Sequence, residues 1–261
     1  LALLLDGGRF ENADPLTREH LLAEAAKLAF ADRMRLLQAD GAYSEDPQSL
    51  LSDAHIESMG ARIDNDTVVP LAAVAPTVRE WPETPDAVSF AVMDVRGGAV
   101  ACTLTMNNLF GTGRMAAGFG IMLAAAPDSR GRTYTPLGPV LLTSEFHNHS
   151  YLAAAASGGV VAPTALVNVI ARAAAGPQTL RDSMRAPRTH YAGVPDTVFV
   201  EPEMPSDIVE GLRKLGYDVA VTESIGRAVA VYCPSGIPNN KGVQCNSAAE
   251  RRGHGIALGG N

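Results

Sequence analysis

The chain has 261 residues, of which 46% are hydrophobic and 19% charged, so it is long enough to bury the core of one large or two modest domains. Its formal net charge of -7 is spread along the chain without a basic stripe, which argues against nucleic acid as a partner. The longest apolar runs, such as Leu152 to Ala156, are far too short to span a bilayer, so no membrane partner is expected.

The cysteines and the first residue bear on the origin of the chain. Cys102, Cys233 and Cys245 are an odd number at wide spacing, which fits neither a disulfide framework nor a zinc knuckle. A reducing, cytoplasmic compartment is therefore favoured. We also expect no metal site and no cofactor. Because the chain begins with Leu1 and lacks a secretory signal, we expect a fragment, a processed product or one half of a split protein.

The first third of the chain is predicted to be helical. Asp14 and Pro15 provide an N-cap and a first-turn proline ahead of apolar residues at helical spacing, which predicts a long amphipathic helix ending near Leu37. A second helix is predicted over residues 47–63. Residues 64–85 contain four prolines and no sustained period, which is typical of an exposed connector.

From Val88 the pattern changes to that of strands. Apolar residues alternate up to Val92, a turn at Arg96-Gly97-Gly98 follows, and a second strand is predicted over residues 99–105, antiparallel to the first. Further predicted helices cover residues 163–175, 179–186 and 205–215, and further strands cover residues 217–222, 228–233 and 242–246. The predicted class is α+β, with helices flanking mainly antiparallel sheets.

Several motifs follow one another in a fixed order. They are Asp86-Ala87-Val88-Ser89-Phe90-Ala91-Val92-Met93-Asp94, Gly97-Gly98-Ala99-Val100, Thr103-Leu104-Thr105-Met106-Asn107, Phe110-Gly111-Thr112-Gly113, Gly118-x-Gly120, Ser157-Gly158-Gly159 and Ala186-Pro187-Arg188-x-His190. In order and spacing they resemble the small subunit of the γ-glutamyltranspeptidase family of N-terminal-nucleophile hydrolases. The segment from Ala23 to Arg33 is similar to the end of that family's large subunit.

The resemblance implies a fold and an organisation. The expected fold is a four-layer αββα sandwich of two mainly antiparallel sheets between helical layers, forming one structural domain. Residues 1–86 would be the end of a large-subunit-like segment with its connector, and residues 87–261 a small-subunit-like catalytic segment. The family's substrate-carboxylate arginine would then come from a missing large-subunit segment or a partner chain.

The resemblance also places the reaction centre. In that family a threonine hydroxyl attacks the carbonyl that precedes it, and the amine freed by this cleavage then acts as the base. Alignment on Asp94 and Gly97 puts residue 87 at the nucleophile position and Asp86 before the scissile bond. Ala87 has no hydroxyl, so the chain as written cannot cleave itself by that route. Either an engineered threonine-to-alanine change, which we favour, or a natural loss of the nucleophile explains this alanine.

Four further positions acquire roles from the resemblance. Thr105 corresponds to a second threonine that positions the nucleophile, and Asn107 to an asparagine that contacts polar groups of a small-molecule substrate. Gly158 and Gly159 correspond to backbone N–H donors for the oxyanion. Taken singly, each of these residues would more often serve a strand end or a turn, and their shared register favours the functional interpretation.

The substrate-binding positions depart from the family pattern. Ala126 and Ser129 stand where γ-glutamyl enzymes have a glutamine and an acidic residue that grip the substrate's α-amino group, and Asp128 is a possible shifted substitute. The loss of these charge-assisted hydrogen bonds predicts a substrate other than glutathione. We expect amide hydrolysis or acyl transfer. Carbon–carbon hydrolysis of pyrroline carboxylic acids in antibiotic biosynthesis, and a non-catalytic binding subunit, remain as alternatives.

Other residues imitate functional motifs. His147 and His149 lack enough further ligands for a metal site and are expected in a solvated loop. A serine-hydrolase arrangement using Ser89 or Ser157 with His190 lacks the expected nucleophile elbow. Arg188 is expected to pair inside the core.

Overall fold

The computed structural model describes residues 1–38, 42–75, 87–126, 137–191, 193–239, 244–248 and 250–259. The chain divides into two compact units. The first unit comprises Leu1–Pro82, Ala175–Pro177 and Pro187–Ile225, and the second comprises Glu83–Ala174, Gln178–Ala186 and Gly226–Asn261. The predicted division at residue 86 into two subunit-like segments stays a prediction.

Helices and strands alternate irregularly along the chain. Among the described residues the helices are α1 (Ala2–Leu5), α2 (Arg9–Asn12), α3 (Pro15–Leu36), α4 (Asp53–Gly60), α5 (Leu71–Val74), α6 (Val161–Ala174), α7 (Leu180–Arg185) and α8 (Ser206–Leu215). The strands are β1 (Ala87–Met93), β2 (Ala99–Thr105), β3 (Val140–Ser144), β4 (His149–Ser157), β5 (Thr189–Tyr191), β6 (Val198–Val200), β7 (Val219–Val221), β8 (Arg227–Ile237) and β9 (Asn246–Ala248). The predicted α+β class is confirmed.

The long helix α3 organises the first unit. Its N-cap, Asp14, accepts hydrogen bonds from the backbone N–H groups of Leu16 and Thr17, as the sequence predicts. The helix contacts β5 and α8, and the side chains of Leu21 and Leu22 are each 1% exposed. Burying each such side chain stabilises the fold by about 1.5–3 kcal/mol relative to exposure. The sheet of this unit has the order β5-β6-β7.

Two predictions for the first unit need correction. The helix predicted over residues 47–63 is broken: a 3-10 turn covers Pro47–Leu51, and α4 begins only at Asp53. Ser52 causes the break, because it has an extended backbone and its hydroxyl accepts from the N–H of His55 as a new N-cap. The predicted connector also contains the short helix α5.

The second unit contains two antiparallel sheets in contact. The strands β1 and β2 form a hairpin, and the other sheet has the order β3-β4-β8-β9. Both β1 and β2 contact β4, and α6 contacts β4 and β8. The predicted buried helix is confirmed as α6, and mainly antiparallel pairing is confirmed, with β6 and β7 of the first unit as a parallel exception.

The cysteine expectation is wrong for one pair. Cys233 and Cys245 form a disulfide, while Cys102 is free. The cause is the antiparallel register of β8 and β9, in which Tyr232 faces Asn246 and the two cysteines therefore become neighbours. No helix in the described ranges is long and apolar enough to cross a bilayer.

Candidate active site

The predicted nucleophile position opens β1. Ala87 is the first residue of that strand and faces Thr105, the last residue of β2. Directly opposed residues of an antiparallel pair have Cβ atoms about 5 Å apart. Both residues are half-buried, whereas Val88, the next residue in β1, is exposed. A hydroxyl at position 87 would therefore lie on the same inner face as the hydroxyl of Thr105.

The turn after β1 explains the aspartate and glycines of the motif. The Asp94 carboxylate accepts hydrogen bonds from the N–H groups of Gly98 and Arg96, and these bonds lower the pKa of Asp94 below its ordinary value. Gly97 has φ +91°, and a Cβ there would lie 2.8 Å from Pro238 Cδ. The turn thus fixes the hairpin register that pairs residue 87 with residue 105.

Asn107 joins the two ends of the segment that follows β2 by hydrogen bonds. The backbone N–H of Asn107 donates to Thr105 Oγ1 at 3.0 Å, and its side-chain Nδ2 donates to the carbonyl of Ala125 at 2.6 Å. A further backbone bond joins the N–H of Ala125 to the carbonyl of Met106 at 2.9 Å. These bonds bring Ala126, which is exposed, close to the end of β2. The predicted substrate contacts of Asn107 and Ala126 stay predictions.

The glycine pair connects β4 to α6. Gly158 has φ +131° and Gly159 has φ +64°, conformations that side-chain-bearing residues rarely adopt. A Cβ on Gly158 would lie 3.0 Å from both Gly226 Cα and Val161 Cγ2. Because α6 begins at Val161, the pair precedes a helix N-terminus, where the helix dipole favours negative charge. The oxyanion-binding role of the two glycine N–H groups stays a prediction.

The structure therefore brings together part of the predicted site. Ala87 and Thr105 face each other, and both strands of their hairpin contact β4, whose far end leads into the two glycines. Asp86, Asp128 and Ser129 lie outside the described residues. The sequence analysis missed the hydroxyl pair of Ser89 and Thr103. These two residues form the next pair on the same face of the hairpin, and Ser89 Oγ lies 3.0 Å from Thr103 Oγ1. Their two-residue spacing from Ala87 and Thr105 is the signal that could have found them.

The residues that resembled parts of other kinds of site, such as His190 and Arg188, make contacts typical of a structural role. His190 is buried between the rings of Phe30 and Phe199, and burial lowers the pKa of His190 to about 4, so it is neutral at pH 7. The guanidinium of Arg188 donates to the carbonyl of Ile225 in the core, as expected. His147 lies in the turn between β3 and β4, and no cluster of three or more metal-binding side chains exists among the described residues.

Comparison with solved structures identifies the fold. A cephalosporin acylase from Bacillus halodurans matches 99% of this chain and 48% of its own, with a TM-score of 0.69 and 23% identity. A gamma-glutamyltranspeptidase from Pseudomonas nitroreducens matches 66% of this chain and 99% of its own, with a TM-score of 0.52 and 21% identity. The chain therefore shares the fold of these two solved structures.

Sequence comparison assigns the chain to one protein family. The model of the family Gamma-glutamyltranspeptidase matches residues 4–260, so the chain belongs to that family. The glutathione hydrolase proenzyme of Escherichia coli is 26% identical over 246 residues, covering 85% of this chain and 41% of the relative. The Acylase ACY 1 proenzyme of a Pseudomonas species is 28% identical over 239 residues, covering 83% and 40%. The chain thus spans about two-fifths of the length of these curated relatives.

Proposed function

We propose that this chain is the catalytic part of a self-cleaving hydrolase or acyltransferase in which residue 87 is the nucleophile position. The register pair of Ala87 and Thr105 carries the proposal, because it puts the first side chain of β1 beside a hydroxyl that can orient an attacking group. The curated relatives are proenzymes, which supports cleavage before this residue. With a methyl group at position 87, the chain itself would be held in the uncleaved form.

The chemistry needs a hydroxyl, a base and an oxyanion site. A threonine at position 87 would supply the hydroxyl, and its own amine would become the base after cleavage. Thr105 would hold the hydroxyl in place, and the N–H groups of Gly158 and Gly159 would stabilise the negative oxygen of the tetrahedral intermediate. Removing one such donor lowers catalytic rates by about 100- to 1,000-fold in other hydrolases.

We further propose an acyl substrate other than glutathione. Ala126 offers only a methyl group where a γ-glutamyl enzyme needs a hydrogen-bonding side chain, so the α-amino group of glutathione would lose charge-assisted bonds. The names of the relatives cover glutathione hydrolase, acylase and a capsule biosynthesis protein of Bacillus anthracis. An acylase-type activity fits an apolar residue at position 126 best.

A partner chain or a further segment would complete the site. The outer side chains of the β1–β2 hairpin are large and apolar, yet 44–62% exposed; they are Val88, Phe90, Val92, Val100 and Leu104. A face formed by five large, exposed apolar side chains is typical of a contact surface. Since the curated relatives are more than twice as long, we propose that the remainder of such a protein covers this face and supplies the fourth layer of an αββα sandwich.

A non-catalytic binding subunit is the second candidate, and the methyl group of Ala87 favours it directly. Carbon–carbon hydrolysis of pyrroline acids receives no support from the relatives named above and stays a prediction. The cytoplasmic location also stays a prediction. Disulfides persist mainly in oxidising compartments, so the bond between Cys233 and Cys245 weakens the argument for it.

Substrate turnover by the Ala87→Thr variant tests the proposal. The variant would be incubated with a γ-glutamyl anilide, an acyl anilide without an α-amino group, and a pyrroline carboxylic acid, alone and with the candidate partner chain. We expect self-cleavage and turnover of the acyl anilide above the γ-glutamyl anilide. Turnover of none of the three by a cleaved, folded protein would favour the binding subunit, and preference for the γ-glutamyl compound would contradict the substrate assignment.

A further inference from the structure

A chain of hydroxyl groups crosses from the β1–β2 hairpin to the neighbouring sheet. Ser89 Oγ lies 3.0 Å from Thr103 Oγ1, and Thr103 Oγ1 lies 3.3 Å from the carbonyl oxygen of Ala156 in β4. Both hydroxyl-bearing residues are half-buried on the inner face of the hairpin. Three strands are therefore linked by two consecutive hydrogen bonds.

The direction of these bonds follows from the chemistry of the groups. The carbonyl of Ala156 can only accept, so the single O–H of Thr103 is directed to it. Thr103 Oγ1 must then accept from Ser89, whose O–H is the remaining donor of the pair. The bonds run from β1 through β2 to β4, and Thr103 is the one residue of the three that must both donate and accept.

Each linked residue lies two positions along its strand from Ala87, Thr105 or Gly158. Ser89 follows the nucleophile position by two residues on the same face of β1. Thr103 precedes Thr105 by two residues in β2, and the two register pairs are adjacent on that face. Ala156 precedes Gly158 by two residues at the end of β4. The hydroxyl chain thus joins the strand of the nucleophile to the strand that leads into the glycine pair.

We propose that Thr103 is a positioning residue that sets the distance between the nucleophile strand and the oxyanion-binding glycines. The inference rests on the proposed function for its effect on catalysis. Thr103 does not react. Its hydroxyl bonds to Ser89 in β1 and to the Ala156 carbonyl in β4. These bonds would keep the distance between the attacking hydroxyl and the oxyanion donors constant. Misplacement of reacting groups by about 1 Å can lower rates roughly 100-fold.

A first experiment uses the chain with Ala87 in place. Amide exchange of residues 156–159 would be followed by NMR in Thr103→Val, which keeps the shape and removes the hydroxyl, and in Thr103→Ser, which keeps the hydroxyl. Thr143→Val, an exposed strand threonine in β3, is the matched control. We expect exchange about five- to tenfold faster in Thr103→Val, and the original rates in Thr103→Ser and in the control. Unchanged exchange in Thr103→Val would overturn the proposal.

A second experiment repeats these variants with Ala87→Thr. We expect Thr103→Val to lower the self-cleavage rate and kcat by about 10- to 100-fold with KM unchanged, and Thr103→Ser to restore both. Equal kcat with and without the Thr103 hydroxyl would overturn the proposal and leave the proposed function intact. If Ala87→Thr does not cleave, the proposed function fails, and the amide-exchange experiment still decides the positioning role of Thr103.

Discussion

The buried ion pair of the first unit gives the sharpest stability prediction. Lys27 Nζ donates to Glu24 Oε1 and to the carbonyl of Val69, both at 2.7 Å, and the two side chains are 1% and 0% exposed. The ammonium group also lies 5.0 Å from the ring centre of Tyr191 and 5.1 Å from that of Tyr217. The Lys27→Met substitution would remove this charge and keep most of the side-chain volume.

The expected loss follows from what the substitution leaves behind. Glu24 would stay buried without its cation, and the Val69 carbonyl would lose a donor. Tyr217 still donates to Glu24, and burial, together with that carboxylate, raises the pKa of Tyr217 above its ordinary value, so its O–H remains protonated. The backbone N–H of Val69 also still donates to Glu24 Oε2 at 3.2 Å, but two neutral donors do not replace an ammonium group. Breaking a buried pair in this way destabilises by about 3–5 kcal/mol.

Amide hydrogen exchange of α3 measures this loss locally, which is appropriate because the chain has two units. A loss of about 3–5 kcal/mol corresponds to exchange roughly 100- to several-thousand-fold faster. Lys214→Met, an exposed lysine in α8 of the same unit, is the matched control and should change stability by under about 0.5 kcal/mol. Equal amide exchange rates of α3 in Lys27→Met and Lys214→Met would refute the assignment of a stabilising buried ion pair.

Three further predictions concern the core, the glycine pair and the thiols. Burial lowers the pKa of His190 to about 4, so between pH 6.5 and 4 the unfolded chain binds a proton at this residue that the folded chain does not. The free energy of unfolding should therefore fall by about 3 kcal/mol as the pH drops through this window. Urea titrations should show that His190→Gln abolishes this loss. Gly158→Ala should destabilise by about 3 kcal/mol in thermal unfolding, against about 1 kcal/mol for Gly113→Ala, where a Cβ meets nothing within 4 Å. Thiol titration of the unreduced, unfolded chain should detect Cys102 alone, and three reactive thiols before reduction would contradict the disulfide.

Local signals made part of the fold predictable. The cap at Asp14 and the alternation along β1 are set by neighbouring residues, and both elements form where the sequence places them. The strand β4 was not predicted, because Leu152 to Ala156 is buried throughout and shows no alternation. The disulfide was missed for a related reason, since it depends on the pairing register of β8 and β9, which spacing along the chain does not specify.

The candidate site shows the same division. The resemblance gave residue 87 and Thr105 neighbouring roles, and the hairpin register of the structure pairs these two residues across a short turn. The link from Thr103 to Ala156 could not be predicted, since it joins residues 53 positions apart across two sheets. The sequence therefore predicts a reacting position, and only the structure shows the contacts around it.

Mass spectrometry of the Ala87→Thr variant tests the central claim most directly. The claim is that residue 87 is the nucleophile position of a self-cleaving centre, so a hydroxyl there should split the chain before residue 87. Ala91→Thr places the same side chain on the same half-buried face of β1 and serves as the control, which should remain intact. Two fragments from Ala87→Thr alone are predicted. An intact chain in a folded Ala87→Thr variant, or equal cleavage in both variants, would contradict the account.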